Sequence, residues 1–318
     1  MTVDNTPVVG RFAPTPSGFL HLGNVFCSLL AWLYAKSSGG KIVLRIEDLD
    51  PQRCSLAKAD ALARELEWLG LTWDEGAYCS ADSDSFFQSR RCDIYAHCFD
   101  LLQQQGLVYP CFCNRSELHA AEAPHASDGR IIYAGTCRKL TAAQRSAKMQ
   151  QRRPAWRIKV ADELIAFTDM HYGRQQANLA HECGDFILRR SDGVYAYQLA
   201  VVIDDALMGV NQVVRGCDLL SSTPVQLYLY RLLNLTPPSF CHIPLLTDAA
   251  GRRLSKRDGD LEIAALRQHF GSPEPIIGLL AYLAGQLPKP EPLTAAELLL
   301  LFRPEKVPLE NIVVPQLL

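Results

Sequence analysis

The hydrophobic pattern of the first fifty residues predicts alternating strands and a helix. The apolar, β-branched run 7–12 indicates a buried strand, and a helical pattern follows from about Leu22 to Ser37. The Ser-Gly-Gly stretch 38–40 ends that helix, and residues 41–46 indicate a second strand. A strand, a helix and a strand in this order form a βαβ unit, which predicts a parallel sheet with a right-handed crossover.

The rest of the chain continues with both kinds of element. Helical patterns cover roughly 56–69 and 83–105, and each ends at a glycine. Segment 155–202 has the pattern of mixed strands separated by turn signals. The strands that we predict there are 155–160, 186–189 and 195–202. A strand at 213–218, a helix at 222–233, a strand at 241–246 and a helical, apolar end with proline breaks complete an α/β pattern.

The loop between the first strand and the first helix is a candidate anion site. It contains two prolines, Ser17 and Gly18, and His21 stands where the helix begins. A helix start directs free backbone N–H groups and a positive dipole end at a bound anion, so the imidazole of His21 can join them on a phosphate. Gly23 leaves a face without a side chain, onto which a flat base can pack. The alternative is an ordinary βα turn in which His21 caps the helix.

Three carboxylates, Glu47, Asp48 and Asp50, follow the second strand. Open α/β sheets bind ligands beyond the carboxyl ends of their strands, where these side chains are expected to lie. Carboxylates beside a phosphate site suggest that they meet a cation, either an amino group or a metal. The alternative for Asp48 or Asp50 is a helix N-cap before Pro51.

The cysteines suggest one metal site. Eleven cysteines in such a chain favour reduced thiols and metal ligands over disulfides. Cys111 and Cys113, followed by Cys137, resemble a zinc pattern, and Zn²⁺ prefers four tetrahedral ligands. Tyr133, a water or one of two histidines, His119 and His125, then supplies the fourth ligand. Reduced cysteines without a metal are the alternative.

Composition limits the class of protein. The 318 residues are 48% hydrophobic and 21% charged, which is ordinary for a soluble globular protein. We see neither an apolar run of membrane-spanning length nor a signal peptide, so a cytoplasmic protein without a membrane partner is expected. The net charge of −2 means that a nucleic acid would have to bind local basic patches, such as 90–91, 152–153 and 252–257.

Five short segments, in the right order, together resemble the class I aminoacyl-tRNA synthetases. His21–Asn24 resembles the HIGH signature, with Asn24 in place of the second histidine. Leu254–Arg257 resembles the KMSKS signature, with Leu254 in place of methionine. Arg11–Gly18, Leu44–Asp50 and Val214–Asp218 resemble the glutamyl branch in particular.

The size of the chain and its cysteines narrow the resemblance. Only 61 residues follow Arg257, which we expect to be too few for a helical anticodon-binding domain. With the Cys-x-Cys and Tyr-x-x-x-Cys segments, the chain resembles the glutamyl-queuosine tRNA(Asp) synthetase family. That family activates glutamate with ATP and Mg²⁺ without tRNA, then esterifies the queuosine base at the wobble position of tRNA(Asp). The alternatives are a truncated glutamyl-tRNA synthetase, a non-catalytic paralogue that binds RNA or a partner, and another nucleotidyltransferase of the HIGH superfamily.

The resemblance implies a site residue by residue. His21 and Lys256 are the implied catalytic residues, and both bind ATP together with Gly23 and Asn24. Arg11 and Arg215 are the implied partners of the glutamate carboxylates, Glu47 of its amino group, and Tyr197 adds a hydroxyl. The residues implied to line the rest of the glutamate pocket are Phe12, Ala13, Pro14 and Thr15. The alternative for Arg215 is a structural salt bridge with Asp218 or Asp204.

The resemblance also implies the organisation of the molecule. It implies a Rossmann-like catalytic domain in two halves, 1–105 and 196–247, with a zinc-containing subdomain at 106–195 inserted between them. The KMSKS-like loop and a small helical subdomain form 248–318. The implied structural zinc ligands are Cys111, Cys113, Tyr133 and Cys137. We expect a monomer.

Overall fold

The computed structural model describes residues 6–79, 83–114, 132–254 and 262–315. The α-helices are α1 Leu22–Ser37, α2 Leu56–Trp68, α3 Cys92–Gln104, α4 Ala142–Gln151, α5 Leu179–Glu182, α6 Tyr197–Leu207, α7 Thr223–Leu232, α8 Ile263–Phe270, α9 Glu274–Leu283 and α10 Ala295–Leu301. The strands are β1 Val9–Phe12, β2 Lys41–Leu44, β3 Glu75–Gly76, β4 Val108–Cys111, β5 Ala155–Ile158, β6 Leu164–Asp169, β7 Gly173–Asn178, β8 Ile187–Arg189, β9 Gln212–Gly216, β10 Ser239–Ile243, β11 Leu246–Thr247 and β12 Ile312–Val313.

Two parallel sheets meet side by side at the centre of the molecule. One sheet has the order β1-β2-β3, and the other pairs β9 with β10. They join where Asn211 N–H donates to the Val9 carbonyl at 3.0 Å, while the Asn211 side-chain oxygen accepts from Val9 N–H at 2.8 Å. The chain therefore runs outward from β1 in one direction and from β9 in the other. Ligands of open α/β sheets bind at such a switch point, beyond the carboxyl ends of the strands.

Helix α1 is buried on nearly every side because two layers cover it. It packs against β1 and β9 on one side and against α10 on the other, where the rings of Tyr34 and Phe302 lie 5.2 Å apart. Gly10 allows the close approach to β1, since a Cβ there would lie 3.1 Å from the Cβ of Ala35. The amino end of α1 is thereby held beside the switch point.

Antiparallel strands separate the two parallel sheets in the sequence. Strands β4, β5 and β8 form one sheet, and β6 and β7 form a hairpin. The hairpin packs back against β10 and α7. The predicted division into 1–105, 106–195, 196–247 and 248–318 stays a prediction.

One predicted element is wrong, and another begins later than predicted. Residues 195–202 do not form a strand, because helix α6 begins at Tyr197. Its apolar run is buried on all sides, and periodicity alone does not distinguish such a helix from a buried strand. The helix predicted over 83–105 begins only at Cys92, after two short 3₁₀ turns at Ser83–Phe86 and Gln88–Arg90.

No described helix combines the length and the apolar character that a bilayer span requires.

Candidate active site

A cavity of about 530 Å³ opens at the switch point between the two parallel sheets. Its walls come from the loop after β1, the start of α1, the end of β9 and the segment after β10. Lys256 lies outside the described residues. The other residues predicted to bind glutamate or ATP all line the cavity: Arg11, Phe12, Ala13, Pro14, Thr15, His21, Gly23, Asn24, Glu47, Tyr197 and Arg215.

Glu47 belongs to a buried row of alternating charges. Arg45 donates to Glu47 at 3.1 Å and to Asp205 at 2.6 Å, and Asp205 lies 3.6 Å from the Nε of Arg11. All four side chains are less than 9% exposed. Burial raises the pKa of Glu47 above its ordinary value, although Arg45 and Arg11 oppose the shift. A cationic group entering the cavity would stabilise the charged form of Glu47.

The other two predicted carboxylates do not line the cavity. Asp48 accepts hydrogen bonds from the backbone and the hydroxyl of Ser89, at 2.8 and 2.6 Å. Asp50 pairs with Arg190 at 3.0 Å and accepts from the backbone of Gln52. Their side chains hold neighbouring segments, so Glu47 alone of the three faces the ligand space.

Arg215 is buried among neutral partners. Its Nε donates to His242 at 3.0 Å, and its two terminal nitrogens donate to Gln226 at 2.9 Å and Thr223 at 2.8 Å. Burial lowers its pKa, although Tyr197 opposes the shift. Arginine stays charged in proteins, so this guanidinium brings to the cavity a positive charge that forms no salt bridge within the described part of the chain.

The alternative for Arg215, a structural salt bridge, does not occur among the described residues. Asp218 pairs with Arg253, and Asp204 pairs with Arg91 at 2.6 Å. The predicted basic patch at 90–91 is corrected by the same contact, because Arg91 is only 8% exposed.

His21 is both the cap of α1 and a wall of the cavity. Its backbone N–H donates to the side-chain oxygen of Asn24 at 3.3 Å, and its ring is 6% exposed. A Cβ on Gly23 would lie 3.2 Å from two atoms of that ring. The bare face of Gly23 therefore packs against the imidazole of His21. The cap and the ligand site are compatible, because the first N–H groups of a helix stay open.

Tyr197 reaches the cavity from the first turn of α6, and burial raises the pKa of its phenol. Sequence reasoning missed Asp205, which the same helix brings between Arg11 and Arg45. The available signal was a pair of acids, Asp204 and Asp205, inside an otherwise apolar run.

The predicted metal ligands come together in a second, smaller cluster. The sulfurs of Cys111, Cys113 and Cys137 all lie within 4.8 Å of one another, and Cys113 and Cys137 are 3.6 Å apart. The hydroxyl of Tyr133 lies 3.4 Å from the sulfur of Cys111 and 3.7 Å from that of Cys113. The guanidinium of Arg157 stacks on the Tyr133 ring at 3.9 Å.

These distances fit a tetrahedral zinc site. Bond lengths of ~2.3 Å to sulfur and ~2.0 Å to oxygen place neighbouring ligand atoms about 3.5–3.8 Å apart. The distances from Cys113 to Cys137 and from the Tyr133 hydroxyl to Cys111 and Cys113 are close to that spacing. The rival ligands His119 and His125 lie outside the described residues.

Comparison with known proteins places the chain in one family. Residues 7–296 match the family model of class I tRNA synthetases (E and Q), catalytic domain. A protein of Nitratidesulfovibrio vulgaris named glutamyl-Q tRNA(Asp) synthetase is 52% identical over 281 residues, which are 88% of this chain and 87% of that protein. One of Symbiobacterium thermophilum with the same name is 47% identical over 310 residues, covering 96% and 95%.

A solved structure from the same family has the same fold. The glutamate tRNA ligase of Elizabethkingia meningosepticum, determined with its amino acid, superposes with a TM-score of 0.81 at 28% identity. The match covers 96% of this chain and 67% of the ligase. The chain is therefore a ligase that belongs to the class I tRNA synthetases for glutamate and glutamine, within the glutamyl-Q tRNA(Asp) synthetase family.

Proposed function

We propose that the chain activates L-glutamate with ATP in the absence of tRNA, which gives glutamyl adenylate and pyrophosphate. The glutamyl group is then transferred from the adenylate to a hydroxyl of the queuosine base at the wobble position of tRNA(Asp), and AMP is released. One observation carries the proposal. Arg11, Arg215 and Glu47 face a single cavity beside the amino end of α1. This cavity thus combines an acidic amino acid site with a phosphate site.

The charges of the cavity support glutamate as the amino acid. L-Glutamate has two carboxylates and one ammonium group, which match two guanidinium groups and the carboxylate of Glu47. Glutamine lacks one of the negative charges. Binding it would leave Arg215 buried with neutral partners only, and a site built for a charged group rejects an analogue without that group. We assign the neighbouring Phe12, Ala13, Pro14 and Thr15 to the walls of this pocket, with Tyr197 as an additional hydroxyl.

During activation, negative charge develops on the pyrophosphate that leaves ATP. An oxygen of the glutamate α-carboxylate bonds to the α-phosphorus of ATP, and the bond from this phosphorus to the bridging oxygen breaks. Pyrophosphate leaves with that electron pair, and Mg²⁺ accompanies the triphosphate. We assign His21, Gly23 and Asn24, at the start of α1, to the ATP side. Lys256 in the KMSKS-like loop is assigned to the leaving pyrophosphate.

Queuosine is supported as the acceptor by chemistry and by the relatives. Its cyclopentene ring has a cis-diol, which resembles the diol of a terminal ribose. A site built for the acceptor end of a tRNA therefore suits it. The relatives named above have nearly the same length as this chain and share this acceptor in their names.

We also propose a structural Zn²⁺ held by Cys111, Cys113, Cys137 and Tyr133. The described core around these residues is small, and consists of the cluster itself with Tyr109, Phe112 and Leu140. When bound, the ion would clip two distant segments together and so replace apolar packing.

Glutamate-dependent exchange between ATP and labelled pyrophosphate, measured without tRNA, tests the activation step. Exchange supports the proposal. Exchange that requires tRNA would instead indicate a glutamyl-tRNA synthetase that charges an acceptor end, and no exchange under either condition would indicate a non-catalytic RNA-binding paralogue. Labelled glutamate should then be transferred to tRNA(Asp) that contains queuosine, and not to the same tRNA with guanine at the wobble position. Prior oxidation of the queuosine diol with periodate should abolish transfer.

A further inference from the structure

A buried acid–histidine pair lies behind Arg215, outside the predicted site. His242 is on β10, and the parallel register places it directly beside Arg215 on β9. Asp169 ends β6, in the hairpin that packs against β10. Asp169 is 1% exposed and His242 is fully buried, and neither lines the cavity. The glutamate-binding roles assigned above use neither residue.

The hydrogen bonds of His242 determine its tautomer. The Nε of Arg215 has only a proton to donate, and it lies 3.0 Å from Nε2 of His242. Nε2 must therefore be the accepting nitrogen, which places the proton on Nδ1. Nδ1 lies 2.6 Å from Oδ2 of Asp169 and donates to it. Burial lowers the pKa of His242, with Asp169 opposing the shift, so the neutral ring is the form that fits both bonds.

The backbone holds Asp169 in place. Its Oδ1 accepts from the N–H groups of His171 at 3.0 Å and Tyr172 at 2.9 Å. Met170 N–H donates to the carbonyl of Phe240 at 2.8 Å, which fixes the hairpin against β10. The backbone N–H of His242 lies 3.2 Å from both oxygens, so Oδ1 has three backbone donors, while Oδ2 has this one and the ring Nδ1 of His242.

We propose that Asp169 and His242 are positioning residues that set the direction of the Arg215 guanidinium and thereby the preference for glutamate over glutamine. Asp169 keeps the proton of His242 on Nδ1, so that Nε2 offers a lone pair to Arg215. With this bond and those to Gln226 and Thr223, the guanidinium plane has one orientation. The inference rests on the proposed role of Arg215 in binding a glutamate carboxylate.

Asp169→Asn is the most informative variant, because the backbone dictates how the amide must lie. The donors at His171 and Tyr172 require the amide oxygen at the Oδ1 position, so the NH₂ group faces Nδ1 of His242. The amide then donates to Nδ1, and the ring proton moves to Nε2. The Nε2–H of His242 would then point at the Nε–H of Arg215, and it would compete with Arg215 for the hydroxyl oxygen of Thr223, which lies 3.2 Å from Nε2. The guanidinium of Arg215 then has to turn away from His242. The substitution itself leaves the shape of the pocket unchanged, because asparagine has the same shape as aspartate.

The experiment compares Asp169→Asn with two variants of His242 in glutamate-dependent ATP–pyrophosphate exchange. His242→Gln can still offer an acceptor near the Nε2 position, whereas His242→Asn keeps only a group near Nδ1. We expect Asp169→Asn and His242→Asn to raise the KM for glutamate about tenfold or more, as for loss of a charged hydrogen bond. The KM for ATP should stay unchanged, and the preference for glutamate over glutamine should fall. His242→Gln should retain most of the glutamate affinity.

A second measurement does not depend on the substrate. Nitrogen chemical shifts of the His242 ring, assigned by comparison with His242→Gln, report which nitrogen carries the proton. The wild-type protein should show the proton on Nδ1, and Asp169→Asn should show it on Nε2.

Several results would overturn the inference. One is a wild-type ring protonated on Nε2. Another is a folded Asp169→Asn variant with an unchanged KM for glutamate. A third is an equal loss of affinity for glutamate and for ATP with a lower melting temperature, which indicates a merely structural role. Absence of glutamate-dependent exchange in the wild type refutes the proposed function, and the specificity role falls with it. The tautomer measurement still shows whether Asp169 keeps the proton of His242 on Nδ1.

Discussion

Glu47→Gln is the sharpest test of the proposed amino acid site. The substitution keeps the shape of the side chain and its hydrogen-bond acceptor for Arg45, which donates to it at 3.1 Å. It removes the negative charge and replaces one acceptor oxygen by an NH₂ group. Arg45 keeps the carboxylates of Asp205 at 2.6 Å and Asp204 at 4.0 Å, so its own charge stays compensated. The fold should therefore tolerate the change.

The expected loss follows from the contact that we propose between Glu47 and the substrate ammonium. A hydrogen bond to a charged group contributes about 1.5–3 kcal/mol, and ~1.4 kcal/mol corresponds to a tenfold change in affinity. The amide oxygen still accepts a hydrogen bond, which favours the lower end of this range. We expect the KM for glutamate to rise about tenfold or more, with the KM for ATP unchanged.

The pH dependence gives the result a second signature. Burial raises the pKa of Glu47, so its carboxylate becomes protonated at a higher pH than an exposed glutamate. As the pH falls through this raised pKa, the charge that holds the ammonium is lost, and the KM for glutamate should rise. Glu47→Gln lacks the titrating group, so its profile contains only the titration of the substrate and of other residues. The difference between the two profiles isolates Glu47.

Asp48→Asn is the matched control, because it removes the adjacent carboxylate, which is bonded to Ser89 outside the cavity. Both variants are measured in pyrophosphate exchange with glutamate varied at saturating ATP. Asp48→Asn should leave the KM for glutamate unchanged. The reasoning is refuted if Glu47→Gln binds glutamate as well as the wild type, or if both variants lose the same affinity.

Three further predictions concern the metal cluster and the ATP side. Cys111→Ser should lose the bound zinc, measured by metal analysis, and should have a lower melting temperature. Cys98→Ser is the control and should retain the metal. Full retention of zinc in both variants would disprove the proposed zinc site. Gly23→Ala should slow activation about tenfold, because the added Cβ presses on the ring of His21. The melting temperature should stay unchanged or rise, since alanine favours a helix over glycine by about 1 kcal/mol. Lys256→Ala should lower the activation rate at least about tenfold with the same melting temperature, and an unchanged rate would remove Lys256 from the mechanism.

The family resemblance of short motifs named most of the residues that line the cavity. Arg11, Glu47 and Arg215 are far apart in the sequence, but each lies within three residues of the carboxyl end of a strand. Parallel strands end at the same edge of a sheet, so their final residues converge whatever the length of chain between them. The structure brings all three to one cavity, as that rule requires. Their binding roles remain proposals for the assays above.

Local sequence did not predict the structure where burial or contacts between distant residues decided it. The run at 195–202 is apolar except for Gln198, so it has no clear periodicity that separates a helix from a strand, and only its packing made it α6. The three carboxylates after β2 are equivalent in the sequence. The course of the chain decides that Asp48 and Asp50 hold neighbouring segments while Glu47 faces the cavity.

The sequence by itself determined the parallel sheet, the helix start at His21 and the types of residue at the strand ends, because these depend on hydrophobic period and on chemistry within a few positions. Only the tertiary structure decided which charges meet. Asp205 joins Arg11 to Arg45, and His242 links Asp169 to Arg215, through contacts between residues that are distant in the chain. Such contacts depend on how sheets and helices pack in three dimensions, and no local pattern encodes that packing.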